Sequence, residues 1–157
     1  MLGNQITDPE EGRLRGMSLL NTETIFHPVK HRSRTHGKIC HLEGRFANLS
    51  GTEISGYEIH MGETTGNALP LIALDHDQTD GFCNPDQTVC GTYLHGIFDN
   101  VEFTQKFLTV LAEQKHVTAD FQISDSEIYK NRQYDQLADL LRSHLDMQKI
   151  YEIINLS

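Results

Sequence analysis

Tryptophan is absent from this chain and cysteine occurs only three times. With 38% hydrophobic residues, the sequence is not apolar-rich. Its longest apolar run lies near Ala68 to Leu74. That is far short of the ~20 residues a helix needs to cross a bilayer. Positive charge is scarce as well: 13 Lys and Arg stand against 22 Asp and Glu, a formal net charge of −9. This balance argues against nucleic acid or an anionic membrane as partner, because both repel it. The opening, Met1 to Gly12, has neither a basic n-region nor an apolar h-region and reads as no signal peptide. Cys40, Cys83 and Cys90 form no CxxC and are odd in number. They are expected as free thiols of a cytoplasmic protein. No internal repeat, low-complexity tract or linker interrupts the chain, so residues 1–157 are read as one unit of ordinary domain length.

Against these absences stands one informative stretch, Val89 to Asn100, which reads as a strand buried on both faces and ending at His95. Gly96 lets backbone or ligand come close to that histidine. In open α/β sheets, ligands gather at the carboxyl ends of strands. A histidine there is a candidate acid/base, because its ordinary pKa of about 6.5 lets it exchange protons near neutrality. Asp99 followed by Glu102 predicts a helix cap, and Phe103, Phe107 and Leu111 predict an amphipathic helix over about 100–115.

Elsewhere, Gly56 to Gly62 alternates, with Tyr57, Ile59 and Met61 on one face and Glu58 and His60 on the other. Tyr57 and Tyr93 are expected in the core with satisfied hydroxyls. Met1 to Ile6 reads as the tail of a helix, Thr22 to Phe26 as a short strand, and Pro28 argues against a central strand beyond it. Lys38 to Phe46 has strand character, Leu69 to Leu74 is an apolar run, and 75–86 reads as a loop. Tyr134, Leu137, Leu141 and Leu145 mark a last helix whose apolar stripe is read as core packing.

Two clusters invite a metal reading. His27, His31, His36, Cys40 and His41 match no standard zinc spacing. Asp75, His76, Asp77 and Asp80 lack the later glutamate of a calcium loop and are read as solvated. No metal site is therefore expected.

Together, Gly56-Tyr57-Glu58-Ile59-His60-Met61-Gly62 and Gly91-Thr92-Tyr93-Leu94-His95-Gly96-Ile97-Phe98-Asp99 resemble the C-terminal part of the glutamine amidotransferase domain of the cobyric acid synthase family. Met1-Leu2-Gly3, the Asp8-Pro9 loop, 16–20 and 134–139 fit the resemblance too. It implies an α/β fold, the C-terminal portion of a flavodoxin-like class I glutamine amidotransferase domain. It implies His95 as the catalytic histidine, with His60, Tyr57 and Glu58 as substrate-binding or supporting residues. It also implies glutamine as ammonia donor, a synthetase domain using ATP and Mg²⁺, and adenosylcobyrinic acid a,c-diamide as the amidated substrate. No cofactor is expected in this chain itself.

The family's nucleophile lies in a Cys-Gly-Gly-Tyr-Gln stretch just before Met-Leu-Gly, and none of Cys40, Cys83 or Cys90 stands in such a glycine-flanked elbow. Nor is there a GxxxxGK[ST] phosphate loop. A histidine without its nucleophile forms no thioester, so the chain alone is expected to be inactive. The rival reading is a non-catalytic remnant or subunit that keeps the fold for assembly with a partner.

Overall fold

The structure, a computed structural model, describes residues 1–75, 78–118, 121 and 126–154. The chain divides into two compact units, Met1–Ile123 and Ser124–Ser157.

The first unit is built on an eight-stranded mixed sheet. Its strands are β1 (Gln5–Asp8), β2 (Gly12–Arg15), β3 (Thr22–Ile39), β4 (Glu53–Gly66), β5 (Leu69–Leu74), β6 (Thr79–Cys83), β7 (Cys90–Gly91) and β8 (Leu94–His95). The long β3 organises the rest. One of its edges carries β1 and then β5, its other edge carries β4, and β4 in turn carries β8. Only β1 with β3 is parallel among the described pairings. Helix α1 (Val101–Gln114) follows β8. This mixed sheet with helices is the α/β class expected from the sequence.

Several local expectations are corrected. The first residues do not end a helix: Gln5–Asp8 form β1, because Ile6 is held between Thr24 of β3 and Leu14 of β2. Pairing on both sides overrides the weak local preference. Strand β3 runs through Pro28 as far as Ile39, but its register with β4 breaks between Phe26 and His31. A proline has no N–H for the ladder, so the break falls where chemistry demands it. Beyond Ile39 the chain leaves the sheet, and Gly44–Leu49 form a 3-10 turn. Residues expected in a loop form β6.

The core gathers Ile39, Leu42, Leu49, Ile54, Leu71, Ile72, Leu94 and Phe103, with Phe46 and Phe107 packed against them. Phe103 and Val110 are the buried positions of α1, while Leu111 is 37% exposed. The buried face thus follows the three- and four-residue steps of a helix rather than the strict four-residue one. Asn100, not Asp99, occupies the N-cap. Its side chain stitches the helix start to β4: the amide oxygen accepts the Ser55 N–H at 2.9 Å, and the amide nitrogen donates to the Ser55 carbonyl at 2.9 Å.

Cys83 and Cys90 are not free thiols. They face each other in the β6–β7 pairing, with Cα atoms 4.2 Å apart, and are joined as a disulfide. Register brings two cysteines into reach that no spacing rule would pair. Cys40 is free and partly buried.

In the second unit, α2 (Ser126–His144) and α3 (Met147–Ile153) are helical as expected. Their apolar stripe is not core packing: Tyr134 is 66% exposed and Leu137 52%. A stripe is buried only against a second apolar layer. No residue of α2 or α3 whose side chain is described is buried. No helix is long and apolar enough to cross a membrane among the described residues. His76 and Asp77, read with Asp75 and Asp80 as solvated, lie outside the described residues.

Candidate active site

The strand pairing divides the sequence-predicted site residues between two faces of β4. Tyr57 pairs with His95 of β8 and Glu58 with Leu94, while across the other edge Tyr57 pairs with Arg34 and Glu58 with Ser33. Residues directly opposite in an antiparallel ladder share a face. Arg34, Tyr57 and His95 therefore form one cross-strand row, and all three are exposed. Glu58 and His60 belong to the other, more enclosed face. The alternation read from the sequence is correct in phase, but Tyr57, half exposed, is not in the core.

Two glycines make this arrangement possible. A Cβ on Gly56 would collide with the His95 carbonyl oxygen, so only glycine lets β8 dock on β4 at this point. Gly96 has a φ of +82°, a left-handed turn that ends β8 immediately after His95.

The expected doubly covered strand from Val89 to His95 is instead two short strands, and His95 is exposed at the end of the second. The reason is Asp80, which is only 5% exposed. Its carboxylate accepts the Thr92 hydroxyl proton and the Tyr93 N–H, the latter at 3.1 Å. Thr92 Oγ1 in turn accepts the Leu94 N–H at 2.9 Å. Groups that would extend the ladder are spent on side chains, so the strand breaks between Gly91 and Leu94. Asp80 is a structural acid rather than part of a solvated loop. Nothing local in the sequence marks it, since its partners lie 12 and 13 residues further on.

On the enclosed face the groups interlock. Ser33 and Thr35 donate to the Glu58 carboxylate at 3.3 and 3.1 Å. His60 Nε2 lies 3.7 Å from Glu58 Oε1, and His31 Nε2 3.9 Å from Glu58 Oε2. His60 Nδ1 donates to the Gly62 carbonyl at 2.7 Å, which fixes the ring. Tyr93 stacks on that ring at 4.6 Å, and its hydroxyl is hydrogen-bonded to Thr64 at 2.6 Å. Glu58 lies near His60 and His31 on this face, and His95 is not on it. Of His60 and His95, the former is hydrogen-bonded through Nδ1 and has Glu58 near its Nε2, whereas His95 has no side-chain hydrogen bond among the described residues.

The histidines at 27, 31 and 36 are strung along β3, which rises about 3.3 Å per residue. Cys40 and His41 follow beyond its end. Among the described residues no three His, Cys, Asp or Glu groups converge to hold a metal ion.

A cavity of about 170 Å³ joins the start of the chain to the approach to His95: Met1, Leu2 and Gly3 line it together with Gly91, Thr92 and Tyr93. Burial pushes the Cys40 thiol above its ordinary pKa. That is the opposite of what activates a nucleophile.

The family described as CobB/CobQ-like glutamine amidotransferase domain matches residues 1–103. Cobyric acid synthase of Citrobacter koseri is 41% identical over 163 residues, covering 98% of this chain and 32% of the relative. Cobyric acid synthase of Dehalococcoides mccartyi is 38% identical over 170 residues, covering 99% of this chain and 33% of the relative. That of Streptococcus sanguinis is 37% identical, covering 99% and 32%. The chain spans about a third of the length of the curated relatives it matches.

Proposed function

Since the chain belongs to the CobB/CobQ-like glutamine amidotransferase domain family, as the C-terminal part of such a flavodoxin-like α/β domain, we propose that it serves glutamine-dependent amidation of the cobyric acid synthase type. Glutamine is the ammonia donor and His95 the acid/base. A cysteine on an elbow attacks the side-chain amide, and a bond forms between its sulfur and the amide carbon. The C–N bond then breaks, and His95 supplies the proton that lets ammonia leave. Ammonia passes to an amidation step on adenosylcobyrinic acid a,c-diamide in cobalamin biosynthesis.

The observation that carries this reading is the shared cavity of Met1–Gly3 and Gly91–Tyr93. It sets the residues that follow the family's elbow beside those that lead to His95. His60 and Glu58 hold Tyr93, and through it the backbone before His95, in position. Tyr57 stands beside His95 on the open face.

We place ATP and Mg²⁺ outside these residues. The donor set here does not fit them: no glycine-rich phosphate loop occurs, and among the described residues no acidic groups converge on a cation position.

None of the three cysteines is a fit nucleophile. Cys83 and Cys90 are paired, and Cys40 is a partly buried thiol with a raised pKa. The 157-residue polypeptide is therefore expected to release no ammonia from glutamine. A chimera tests the reading, with this chain replacing the matching third of the Citrobacter koseri relative. Ammonia release should appear in the chimera and fall at least ~100-fold in His95→Ala. Full release by the His95→Ala chimera, or by the 157 residues alone, would overturn the proposal.

A further inference from the structure

The disulfide between β6 and β7 has one open side. Cys83 is 0% exposed, whereas Cys90 lies exposed on β7. An attacking thiolate therefore reaches only the Cys90 sulfur, and an exposed disulfide is the labile kind. The hairpin does not need this bond to stay closed. The Asn84 side chain accepts the Thr88 and Val89 N–H groups at 2.8 and 3.0 Å, and the Asn84 N–H donates to the Val89 carbonyl at 3.0 Å. Beyond β7, Asp80 holds Thr92 and Tyr93. Once parted, the two sulfurs thus stay opposite each other, and the bond re-forms readily.

Strand β7 is also where the sheet meets the start of the chain. A Cβ on Gly91 would come within 2.7 Å of the Leu2 side chain, so Leu2 packs directly on that glycine. Two residue pairs, Phe82 with Gly91 and Cys83 with Cys90, seat β7 on β6. Two thiols need more room than a bonded pair, because unbonded atoms rest at van der Waals distance. Cys83 is packed into the core, so the displacement falls on Cys90 and on Gly91 beside it.

We propose that Cys90 is a thiol–disulfide exchange site for a small-molecule thiol, and that the state of the Cys83–Cys90 pair sets how closely Gly91 fits Leu2. The chemistry balances with two equivalents of thiol. The first, as thiolate, bonds to the Cys90 sulfur. The bond to Cys83 breaks, and the Cys83 sulfur departs with the electron pair and takes up a proton. The second thiolate attacks the small-molecule sulfur of the mixed disulfide, and Cys90 leaves as a thiolate that is protonated in turn. The chain gains two electrons and the two protons that the thiols gave up, and the small thiol is oxidised to its disulfide. Resting on the glutamine-hydrolysing role of His95 set out above, the bonded pair is the state that releases ammonia. It keeps the residues leading to His95 against those that follow the family's elbow.

Reduced glutathione is the probe, applied to the intact 157-residue chain and followed by acid quenching and peptide mapping. The native pair should open reversibly. In Cys83→Ser, oxidised glutathione should load Cys90 at least ~10-fold faster than it loads Cys83 in Cys90→Ser. On reduction, the Gly91 amide and Leu2 methyl resonances should move, while those of the buried Leu49 and Val110 stay and show that the fold is kept. A bond that resists glutathione, or Cys83 loaded as fast as Cys90, overturns the exchange site. Opening without movement of Gly91 and Leu2 overturns the coupling. The chimera reads the consequence for ammonia release. Its Cys83→Ser/Cys90→Ser variant carries the elbow cysteine's own response to glutathione and is the reference. Relative to that reference, release by the native-pair chimera should fall at least ~10-fold from the oxidised to the reduced pair. Equal profiles overturn the control of release and leave the acid/base role of His95 standing. If neither chimera releases ammonia, the amidotransferase reading and that control fall together, while the mapping decides the exchange site by itself.

Discussion

The Asp80 carboxylate accepts the backbone N–H of Tyr93 at 3.1 Å inside the first unit, where Asp80 is almost fully enclosed. That bond, with the neighbouring one from Thr92, stops the strand short and swings His95 out into the open. Replacing Asp80 by Ala leaves a buried N–H and a hydroxyl without acceptors. The expected loss is about 2–3 kcal/mol of unfolding free energy. Urea denaturation measures it, and a midpoint equal to that of the native chain would contradict the role assigned to this acid.

His60 and His95 should respond differently to the same deletion. In the chimera, His95→Ala removes the exposed histidine proposed as acid/base. His60→Phe keeps a flat ring against Tyr93 and loses the bond to Gly62. Ammonia release should drop at least ~100-fold in the first. In the second it should stay within about tenfold, with stability lower by roughly 1 kcal/mol. Equal losses of activity would place His60 in the chemistry as well.

Thiol counting probes the β6–β7 pairing. Unfolded without reductant, the chain should titrate a single thiol, Cys40, and three after reduction. In the folded chain Cys40 should alkylate slowly at mildly alkaline pH, because burial holds the thiol protonated. The linked stability has a definite sign. The folded thiol's pKa is raised, so its contribution is whole below the ordinary thiol range and disappears as pH rises through the folded value. A Cys40→Ala chain should lack that alkaline loss.

At the other end of the pH scale stands Asp8. Its Oδ1 accepts the N–H groups of Glu11 and Glu10 at 3.0 and 2.8 Å, and these bonds hold its pKa below the usual carboxylate value. The stabilisation is present above the unfolded carboxylate pKa and is lost as pH falls through the depressed folded one. Carbon-13 titration of the Asp8 carboxyl should show a midpoint below that of an unstructured aspartate. A midpoint at or above it would mean that the β1–β2 turn does not make these bonds.

Phe103 stacks at 6.1 Å on Phe107 and tilts against Phe98 at 5.7 Å, and it is 6% exposed. Phe103→Ala should cost about 3–5 kcal/mol, since a ring-sized void opens between α1 and the sheet. Thermal unfolding would reveal it. A change under 1 kcal/mol would mean that α1 does not close the core.

Some of this was written in the order of residues alone. The helix over 101–114, the alternation through Gly56–Gly62 and the two strand motifs depend on side chains a few positions apart, so local spacing determined them. His95 was singled out for the same reason, through the residues around it. Which face of β4 closes and which stays open was decided by the tertiary pairing: Arg34 lies 23 residues before Tyr57 and His95 38 after it. The burial of Asp80, the union of Cys83 with Cys90 and the strand at Gln5–Asp8 were likewise set by partners brought across the sheet. A one-dimensional pattern records the period of a strand. The neighbour that satisfies each donor, charge and apolar surface is chosen only when the chain folds back on itself.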